Sequence, residues 1–376
     1  MIYLDNSATT APCPEAIAAA QAQMEHWGNP SALHRLGVEA KEALEAARAS
    51  VAAALGAEKR SIVFTSGGTE ADNLAIFGAA EKLGKRGRHI ITTAYEHHAV
   101  LHPVEKLEKQ GFEVTYLQPD GTGRVSLEAF TAAIRPDTIF ATIMMVNNEA
   151  GALAPIAQMA RALHRANPEA IFHTDAVQGL FKVPFSARSL GADLISVSAH
   201  KIHGLKGAGA LYIRQGLHLP PLILGGGQEG ELRSGTEAMP AIAAFGAVCK
   251  AGKQTAAADM AHMAALRDLL IARIGEVPGA QILASGEAPH IVSLSVPGLR
   301  SQGLINCLQD RDVYVSAGSA CSRGHRSHVL SALGCSNEQI DGAIRVSFGR
   351  DNRAEDVDAF LRALSESVIQ LRGGRA

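Results

Sequence analysis

The chain has few of the features that mark a disulfide-stabilised, zinc-stabilised or membrane-spanning protein. Only five cysteines occur among 376 residues. They are scattered, odd in number and form no Cys-x-x-Cys pair, which argues against a disulfide framework or a structural zinc site. No apolar run reaches the length of about 18 residues that a membrane span needs. The first residues, MIYLDNSATT, lack a basic segment followed by a long apolar one, so we predict no secretory signal and a cytoplasmic location.

The charge balance excludes an obvious polyanionic partner. Lysine and arginine number 35 against 37 aspartate and glutamate, the net charge is -2, and the pI is about 6.7. Such a chain has no basic footprint for nucleic acid or for an anionic membrane surface. Its hydrophobic fraction of 47% is enough for a sizeable core, and its length suggests about two domains.

Short apolar runs rich in β-branched residues alternate with helical patterns over the first part of the chain. The runs that predict strands are residues 61–66, 88–94, 112–117, 138–146, 170–175, 193–198 and 209–214. Apolar stripes at helical spacing are Leu44, Ala47, Val51 and Leu55, and Ile156, Met159, Ala160 and Leu163. Unbroken apolar strands alternating with helices predict an α/β fold with a mainly parallel seven-stranded sheet sandwiched between helices.

The pattern changes after about residue 225. A glycine-rich polar loop is followed by a long alanine-rich helical region, and then by shorter strands at 291–296 and 343–348 and a closing helix. We therefore predict a large domain over residues 15–254. Residues 1–14 together with 255–376 are predicted to form a smaller α+β domain.

Ligand sites in parallel sheets lie at the carboxyl ends of strands, so polar groups just after predicted strands are the candidates. The first is FTSGGTEADNLAI, where a strand ends, small residues follow and a helix begins. Backbone N–H groups and the positive helix end make an anion site there, and Thr69 adds a hydroxyl. The stretch is neither GxGxxG nor GxxxxGK[ST], which disfavours dinucleotides and P-loop nucleotides. The alternative is an ordinary glycine turn.

Two more candidates follow strands. Asp175, at the end of a buried strand, needs a partner such as a protonated ring nitrogen, since burying a bare charge is costly; the alternative is a helix N-cap. His97, in TAYEHHAVLHP, can stack on a ring and move protons near neutral pH. His98 and His102 are four residues apart, which raises a metal alternative. Because no HExxH motif and no nearby third ligand occur, we predict no metal there.

Lys201 ends the strand-like run in the stretch SVSAHKIHG. A lysine placed near an anion cradle and a carboxylate suits Schiff-base formation with a carbonyl cofactor, provided that its amine is partly neutral. Ser198 and His200, just before it, can hold phosphate. An anion cradle, an acid for a ring nitrogen, a stacking imidazole and a Schiff-base lysine together are what pyridoxal phosphate requires.

Cys321 lies in a polar loop of small residues at about 316–328, in YVSAGSACSRGHRSHVL. Its cationic neighbours favour the nucleophilic thiolate; they are Arg323, His325, Arg326 and His328. We expect a mobile loop that lets Cys321 reach a substrate held elsewhere. The alternatives are a passive loop cysteine and a three-ligand metal site formed with His325 and His328.

In this order along the chain, the motifs resemble those of cysteine desulfurases of the class V aminotransferase superfamily, the type that serves nitrogen fixation and iron–sulfur assembly. The resemblance runs nearly end to end. The matching stretches are YLDNSATT, GNPSALH, FTSGGTEADNLAI, EHHAV, VNNEAG, TDAVQ, SAHKIHG, RSGT, SAGSACS and IRVSFGR. The resemblance implies fold type I of the pyridoxal-phosphate enzymes.

The resemblance also implies roles for single residues. Lys201 would carry the cofactor, Asp175 would pair with its ring nitrogen, Gln178 would approach its ring hydroxyl, and His97 would stack on the ring. The phosphate would be held by Gly68, Thr69, Ser198 and His200. Thr236, in RSGT, would reach the phosphate of a partner subunit's cofactor, which implies a homodimer.

The implied substrate is L-cysteine, with Asn148 and Arg345 gripping its carboxylate. The implied reaction yields L-alanine and a persulfide on Cys321, which a sulfur-acceptor or scaffold protein then receives. Cys321 would also be a possible transient ligand of an iron–sulfur cluster. The alternatives are another class V enzyme, either an aminotransferase, which needs no loop thiol, or a selenocysteine lyase. The chain reads HKIHGLKG where many relatives read HKIYGPKG, which leaves Lys201 in place.

Overall fold

The computed structural model describes residues 1–317 and 326–373. The helices are α1 (Pro14–Glu25), α2 (Arg35–Leu55), α3 (Gly68–Leu83), α4 (His98–Lys109), α5 (Leu127–Ala133), α6 (Ile156–Ala166), α7 (Ala187–Leu190), α8 (Met239–Arg273), α9 (Ser301–Gln309), α10 (His328–Ala332), α11 (Asn337–Asp341) and α12 (Ala354–Gly373). The strands are β1 (Ile2–Tyr3), β2 (Ile62–Thr65), β3 (His89–Thr93), β4 (Glu113–Leu117), β5 (Thr138–Thr142), β6 (Ile171–Asp175), β7 (Leu194–Ser198), β8 (Gly209–Ile213), β9 (Gln281–Ala284), β10 (Ile291–Ser295), β11 (Val313–Tyr314), β12 (Ser316–Ala317) and β13 (Ala343–Ser347).

The large sheet contains the seven strands that the sequence predicts. Its order is β2-β8-β7-β6-β5-β3-β4. Strand β8 runs antiparallel to both of its neighbours, and the other pairs are parallel. The predicted α/β class, with a mainly parallel seven-stranded sheet, is confirmed. Because β2 and β7 both oppose β8, the carboxyl ends of β2, β3, β5, β6 and β7 meet at one edge.

Helices cover both faces of this sheet because side chains alternate along each strand. On β3, Ile90 packs in a cluster with α3 and α4, while Ile91 packs in the cluster on the opposite face. Helices α2, α6 and α8 contribute to that second cluster. All residues of the two predicted helical stripes are buried in it. Among the described residues, no helix has both the length and the apolarity to cross a bilayer.

A second, four-stranded sheet has the order β12-β13-β10-β9 and is antiparallel throughout. Its core includes residues of α9 and α12 and also Leu4. Strand β1 pairs in parallel with β11, which brings the first residues of the chain to this region. Helix α8 spans both cores, with Phe245 in one and Leu266 in the other. The boundary at residues 254 and 255 therefore falls inside a continuous helix and stays a prediction.

Candidate active site

A cavity of about 270 Å³ lies where the carboxyl ends of the parallel strands meet. Its wall brings together most of the residues predicted from the sequence, namely Gly68, Thr69, His97, Asn148, Asp175, Gln178, Ser198, His200, Lys201 and Arg345. They come from loops after five different strands and from β13. The cavity is also lined by His98 and His328, which the sequence analysis named for other roles. Sequence reasoning gave no role to the remaining lining residues, which are Ser7, Ala8, Asp72, Met144, Glu149 and Val177.

An anion cradle forms one end of this cavity. Helix α3 begins at Gly68 and its N-cap, Gly67, offers no side-chain hydrogen bond, so the first N–H groups of the helix face the cavity without a capping side chain. The hydroxyl oxygen of Ser198 is buried and has no hydrogen-bond partner among the described residues. A Cβ atom on Gly68 would lie 2.6 Å from Cγ2 of Val177, so a side chain there would crowd the cradle.

Lys201 ends a short 3₁₀ turn, Ala199–Lys201, that follows β7 directly. Its Nζ atom donates hydrogen bonds to the carbonyl oxygens of Ser7, at 2.6 Å, and Ala8, at 2.7 Å. The backbone N–H of Ser7 in turn donates to the hydroxyl of Ser347 on β13, at 2.8 Å. The amino-terminal segment therefore positions the lysine amine at the cavity. The polar stretch YLDNSATT was the only sequence signal for this contact.

Asp175 is the last residue of β6 and is buried. Its Oδ1 atom accepts a hydrogen bond from the N–H of Val177 at 2.8 Å. Burial raises the pKa of Asp175 to about 6, against the lowering effects of that hydrogen bond and of the nearby Lys201. The carboxylate is therefore ionised at neutral pH, and a cation in the cavity would stabilise it.

His97 is the N-cap of α4, and its Nδ1 atom accepts a hydrogen bond from the N–H of Ala99 at 3.1 Å. The proton of the neutral ring therefore lies on Nε2. Burial, followed by the charge of Lys201, lowers the pKa of His97 to about 4, so the ring is neutral at pH 7.

The ring of His98 lies 4.9 Å, centroid to centroid, from each of His102 and His328. Within residues 1–317 and 326–373, no group of three or more histidine, cysteine, aspartate or glutamate side chains is placed to hold a metal ion. His98 thus contacts both of these imidazole rings.

Arg345 projects from β13 and is almost fully buried. Its Nη1 donates to the carbonyl oxygen of Asn148 at 2.8 Å, and its Nη2 donates to Oδ1 of Asp5 at 2.9 Å. Its Nε is buried and has no partner among the described residues. Two hydrogen bonds hold this guanidinium in place, and its other N–H donors remain for an anionic ligand.

Two more buried groups support this wall. Gln178 donates from Nε2 to the carbonyl oxygen of Ser7 at 2.9 Å. Glu149 accepts a hydrogen bond from the hydroxyl of Ser327 at 2.5 Å. Burial raises the pKa of Glu149 to about 7, although Ser327 and Arg345 lower it. Glu149 therefore links the wall beside Arg345 to the start of α10.

One predicted residue is not at the cavity, and another lies outside the described part of the chain. Thr236 is exposed, in the loop before α8, and is not part of the cavity wall. Nearby, Arg233 donates to Glu70 on α3 at 2.8 Å, which holds this loop against the outside of the anion cradle. Cys321, like its neighbour His325, lies in residues 318–325, outside the described part of the chain.

Glu96, next to His97, provides a test of how deeply the residues around the cavity are buried. It is completely buried, and its Oε1 accepts hydrogen bonds from Thr93 Oγ1 and the N–H of Met144, at 2.7 and 2.9 Å. Burial raises its pKa from 4.5 to about 8. The folded protein thus keeps a proton that the unfolded chain loses. The stabilising contribution is complete below the unfolded pKa and is lost as the pH rises towards 8.

We expect the free energy of unfolding of the native protein to fall relative to that of Glu96→Gln by about 1.4 kcal/mol per pH unit between about pH 5 and 8. Urea unfolding of both proteins across this range measures the difference. Glu105→Gln, at an exposed position of α4, is the control and should track the native protein. Parallel pH profiles for native protein and Glu96→Gln would show that Glu96 is not a buried acid.

A family model and curated proteins match this chain over nearly its whole length. The family model described as "Aminotransferase class-V" matches residues 2–360. The chain is 42% identical over 376 residues to the "Cysteine desulfurase IscS" of Methanosarcina thermophila, covering 99% of this chain and 93% of that protein.

Solved structures also match this chain over most of its length. A "NifS-like protein" is 38% identical with a TM-score of 0.93, over 98% of this chain and 99% of that one. The structure of "SspA in complex with cysteine" is 32% identical with a TM-score of 0.81, over 93% of this chain and 99% of that one.

Proposed function

We propose that this chain, which belongs to the aminotransferase class-V family and is a cysteine desulfurase, binds pyridoxal phosphate at Lys201 and passes the cysteine sulfur to Cys321. One observation carries the cofactor proposal. A lysine amine, a buried carboxylate and an uncapped helix amino end with an unpaired serine hydroxyl share one cavity. The amine would bind the aldehyde of the cofactor, the carboxylate its ring nitrogen, and the helix end with the serine hydroxyl its phosphate.

The residues that line the cavity fit pyridoxal phosphate. The amino end of α3, together with Ser198 and Thr69, would bind its phosphate. The first N–H groups of the helix have no capping side chain and the Ser198 hydroxyl has no partner among the described residues, so both can donate to an anion. Asp175, ionised at neutral pH, would pair with a protonated ring nitrogen. The amine of Lys201 would form the covalent link. When bound, pyridoxal phosphate would supply an electron sink for the carbanion of the amino-acid substrate.

Lys201 and His97 are the proposed proton carriers. The carbonyl oxygens of Ser7 and Ala8 hold Nζ of Lys201 at the cavity, where its amine would take the α-proton of cysteine. His97 is neutral and presents Nε2–H, since its Nδ1 accepts a backbone N–H. It can therefore stack on the cofactor ring and donate a proton without adding a positive charge.

Arg345 is the proposed anchor of the substrate carboxylate, together with Asn148. Asp5 and the backbone of Asn148 each accept one hydrogen bond from it, and its other N–H groups, including that of Nε, remain for the ligand. A charge-assisted hydrogen bond from a held guanidinium contributes about one to two powers of ten in affinity. The proposed substrate is accordingly an α-amino acid with a free carboxylate, L-cysteine.

We expect Arg345→Lys to raise the KM for L-cysteine by about 10- to 100-fold, because a lysine cannot keep Asp5, Asn148 and the substrate bound together. Steady-state assays of alanine release measure KM and kcat, and the absorbance of bound cofactor serves as the control. Arg350→Lys, five residues along the chain, should leave KM near the native value. An unchanged KM in Arg345→Lys would remove Arg345 from the substrate site.

The sulfur would go to Cys321. Its thiolate would attack the sulfur of the bound cysteine, forming a sulfur–sulfur bond as the carbon–sulfur bond breaks. Protonation at the former β-carbon then releases L-alanine, and the outer sulfur remains on Cys321 as a persulfide. We propose that a thiol of a sulfur-acceptor or scaffold protein removes this sulfur for iron–sulfur cluster assembly or another use. We also propose that Cys321 serves as a transient ligand of an iron–sulfur cluster. The proposed location of the protein is the cytoplasm.

We also propose a homodimer, in which Thr236 of each subunit reaches the phosphate of its partner's cofactor. Thr236 is exposed and lies outside its own cavity, beside the cradle helix through the Arg233–Glu70 ion pair. Large apolar side chains are exposed at Trp27, 78%, and Leu33, 97%. A soluble chain covers such side chains when it associates.

We expect the native protein to sediment as a dimer and Trp27→Glu with Leu33→Glu to shift it towards monomer, since a buried charge opposes association. Sedimentation velocity measures the shift. Ile369→Glu, which changes an exposed apolar residue of α12 (62% exposed), is the control and should remain dimeric. A native protein that is monomeric at micromolar concentration would refute the dimer.

A further inference from the structure

Asp72 is a second carboxyl group in the wall of the cavity. It lies in the second turn of α3 and is 1% exposed. Its Oδ1 is buried without a hydrogen-bond partner among the described residues. Nε2 of His173 lies 3.5 Å from this oxygen, which is too far for a good hydrogen bond. An ionised carboxylate in such surroundings would be costly.

His173 does not supply a compensating charge. It is fully buried, with Nδ1 2.8 Å from Oγ1 of Thr142 and Nε2 2.9 Å from Oγ of Ser196. Both ring nitrogens are therefore engaged by hydroxyls. Burial lowers the pKa of His173 to about 3, so the ring is neutral at pH 7. The imidazole contributes a polar contact to Asp72 but no cation.

The same face of the sheet carries Asp175. In the parallel pairing of β6 and β7, Asp175 lies opposite Ser196. His173 precedes Asp175 by two residues and so shares its face. Asp72 reaches this patch from the helix above. Burial first, and then the charge of Asp175, raise the pKa of Asp72 well above its usual range, although the hydrogen bond with the Ser196 hydroxyl lowers it. The charge of Lys201 and the hydrogen bond from the N–H of Val177 favour the ionised form of Asp175.

We propose that Asp72 is a positioning residue that holds the proton of this carboxyl pair and leaves Asp175 as the single carboxylate facing the cofactor's ring nitrogen. Two carboxylates in one buried patch repel each other, so one proton stays with the pair. It stays on Asp72, whose Oδ1 has no hydrogen-bond partner among the described residues, whereas Asp175 accepts from the N–H of Val177 and lies near Lys201. The proposal rests on the proposed binding of pyridoxal phosphate, but the protonation of Asp72 exists without the cofactor.

The test uses the full-length chain in its apo and cofactor-loaded forms. Asp72→Asn replaces a protonated carboxyl with a neutral group of the same shape. In the apoprotein at pH 7, the infrared difference between native protein and Asp72→Asn should show the C=O band of a protonated acid. With cofactor, Asp72→Asn should bind pyridoxal phosphate within about threefold of native affinity, because no charge is lost. The nitrogen-15 shift of the labelled ring nitrogen should stay that of a protonated pyridine.

Asp175→Asn is the matched control, and it should weaken cofactor binding about tenfold or more and move the nitrogen-15 shift. If Asp72→Asn does not fold, Asp72→Leu, another neutral replacement, is expected to give the same results. Absence of the acid band, or a tenfold loss of affinity with a moved nitrogen-15 shift in either Asp72 variant, would overturn the proposal. Failure of the native protein to bind pyridoxal phosphate would instead refute the proposed cofactor, and the infrared result would stand.

Discussion

Replacing Lys201 with alanine is expected to abolish covalent capture of pyridoxal phosphate and to lower alanine production from L-cysteine by at least about a thousandfold. The amine is the group that would both link the cofactor and take the substrate proton, and general base catalysis alone contributes about 10²- to 10⁴-fold. The carbonyl oxygens of Ser7 and Ala8 hold this amine at the cavity, so that it is in place for both tasks.

Borohydride reduction followed by peptide mass mapping measures the capture. The cofactor mass should appear on the Lys201 peptide of the native protein and be absent from Lys201→Ala. Lys206→Ala, five residues further along the chain and exposed, is the control and should keep both label and activity. The competing nucleophile is Lys182, which burial and the charge of Lys201 bring to a pKa of about 8. Label on Lys182 in the native protein would contradict the assignment.

Replacing Cys321 with serine is expected to abolish persulfide formation and to lower sulfur release by more than about a thousandfold, because the nucleophile is lost. Binding of L-cysteine should persist, since Arg345 and the cofactor residues are untouched. Mass spectrometry of the protein after incubation with L-cysteine, without reductant, measures the added sulfur atom. The absorbance change on adding L-cysteine measures binding.

The other cysteines provide the controls for this experiment. Cys13, Cys249 and Cys307 are buried, and Cys335 is half-buried. Burial raises the pKa of Cys249 and of Cys335, which disfavours the reactive thiolate. Cys335→Ser should therefore form the persulfide at the native rate. Added sulfur on Cys335, or undiminished sulfur release by Cys321→Ser, would refute the acceptor role of Cys321.

The sequence was enough to predict the sheet and its functional edge because both depend on local patterns. Apolar runs predicted the seven strands, and the rule for their carboxyl ends selected residues that line one cavity. Strand β5 is shorter than predicted. The buried residues 143–146 continue the apolar run, and the N–H groups of Ile143 and Met145 still donate to carbonyl oxygens of β6, but the regular strand ends at Thr142. Hydrophobicity alone does not separate these two outcomes.

The parts that were not predicted depend on contacts between distant segments. Ser7 and Ala8 meet Lys201 across more than 190 residues of sequence, and Asp5 meets Arg345 across 340. No local pattern encodes such pairings. Asp72 resembles an ordinary polar residue of a helix, but α3 is packed so deeply against the sheet that this carboxyl is buried. Its role is visible only once the fold places it beside Asp175.

The product balance with L-cysteine tests the central claim most directly. Purified protein loaded with pyridoxal phosphate should convert L-cysteine, under reductant and without any oxoacid, into L-alanine and sulfide in equal amounts. An aminotransferase would require an oxoacid, and a lyase acting on the β-carbon would yield pyruvate and ammonia instead. Equal L-alanine and sulfide is the result we predict. Pyruvate and ammonia, or turnover that depends on an oxoacid, would contradict the account.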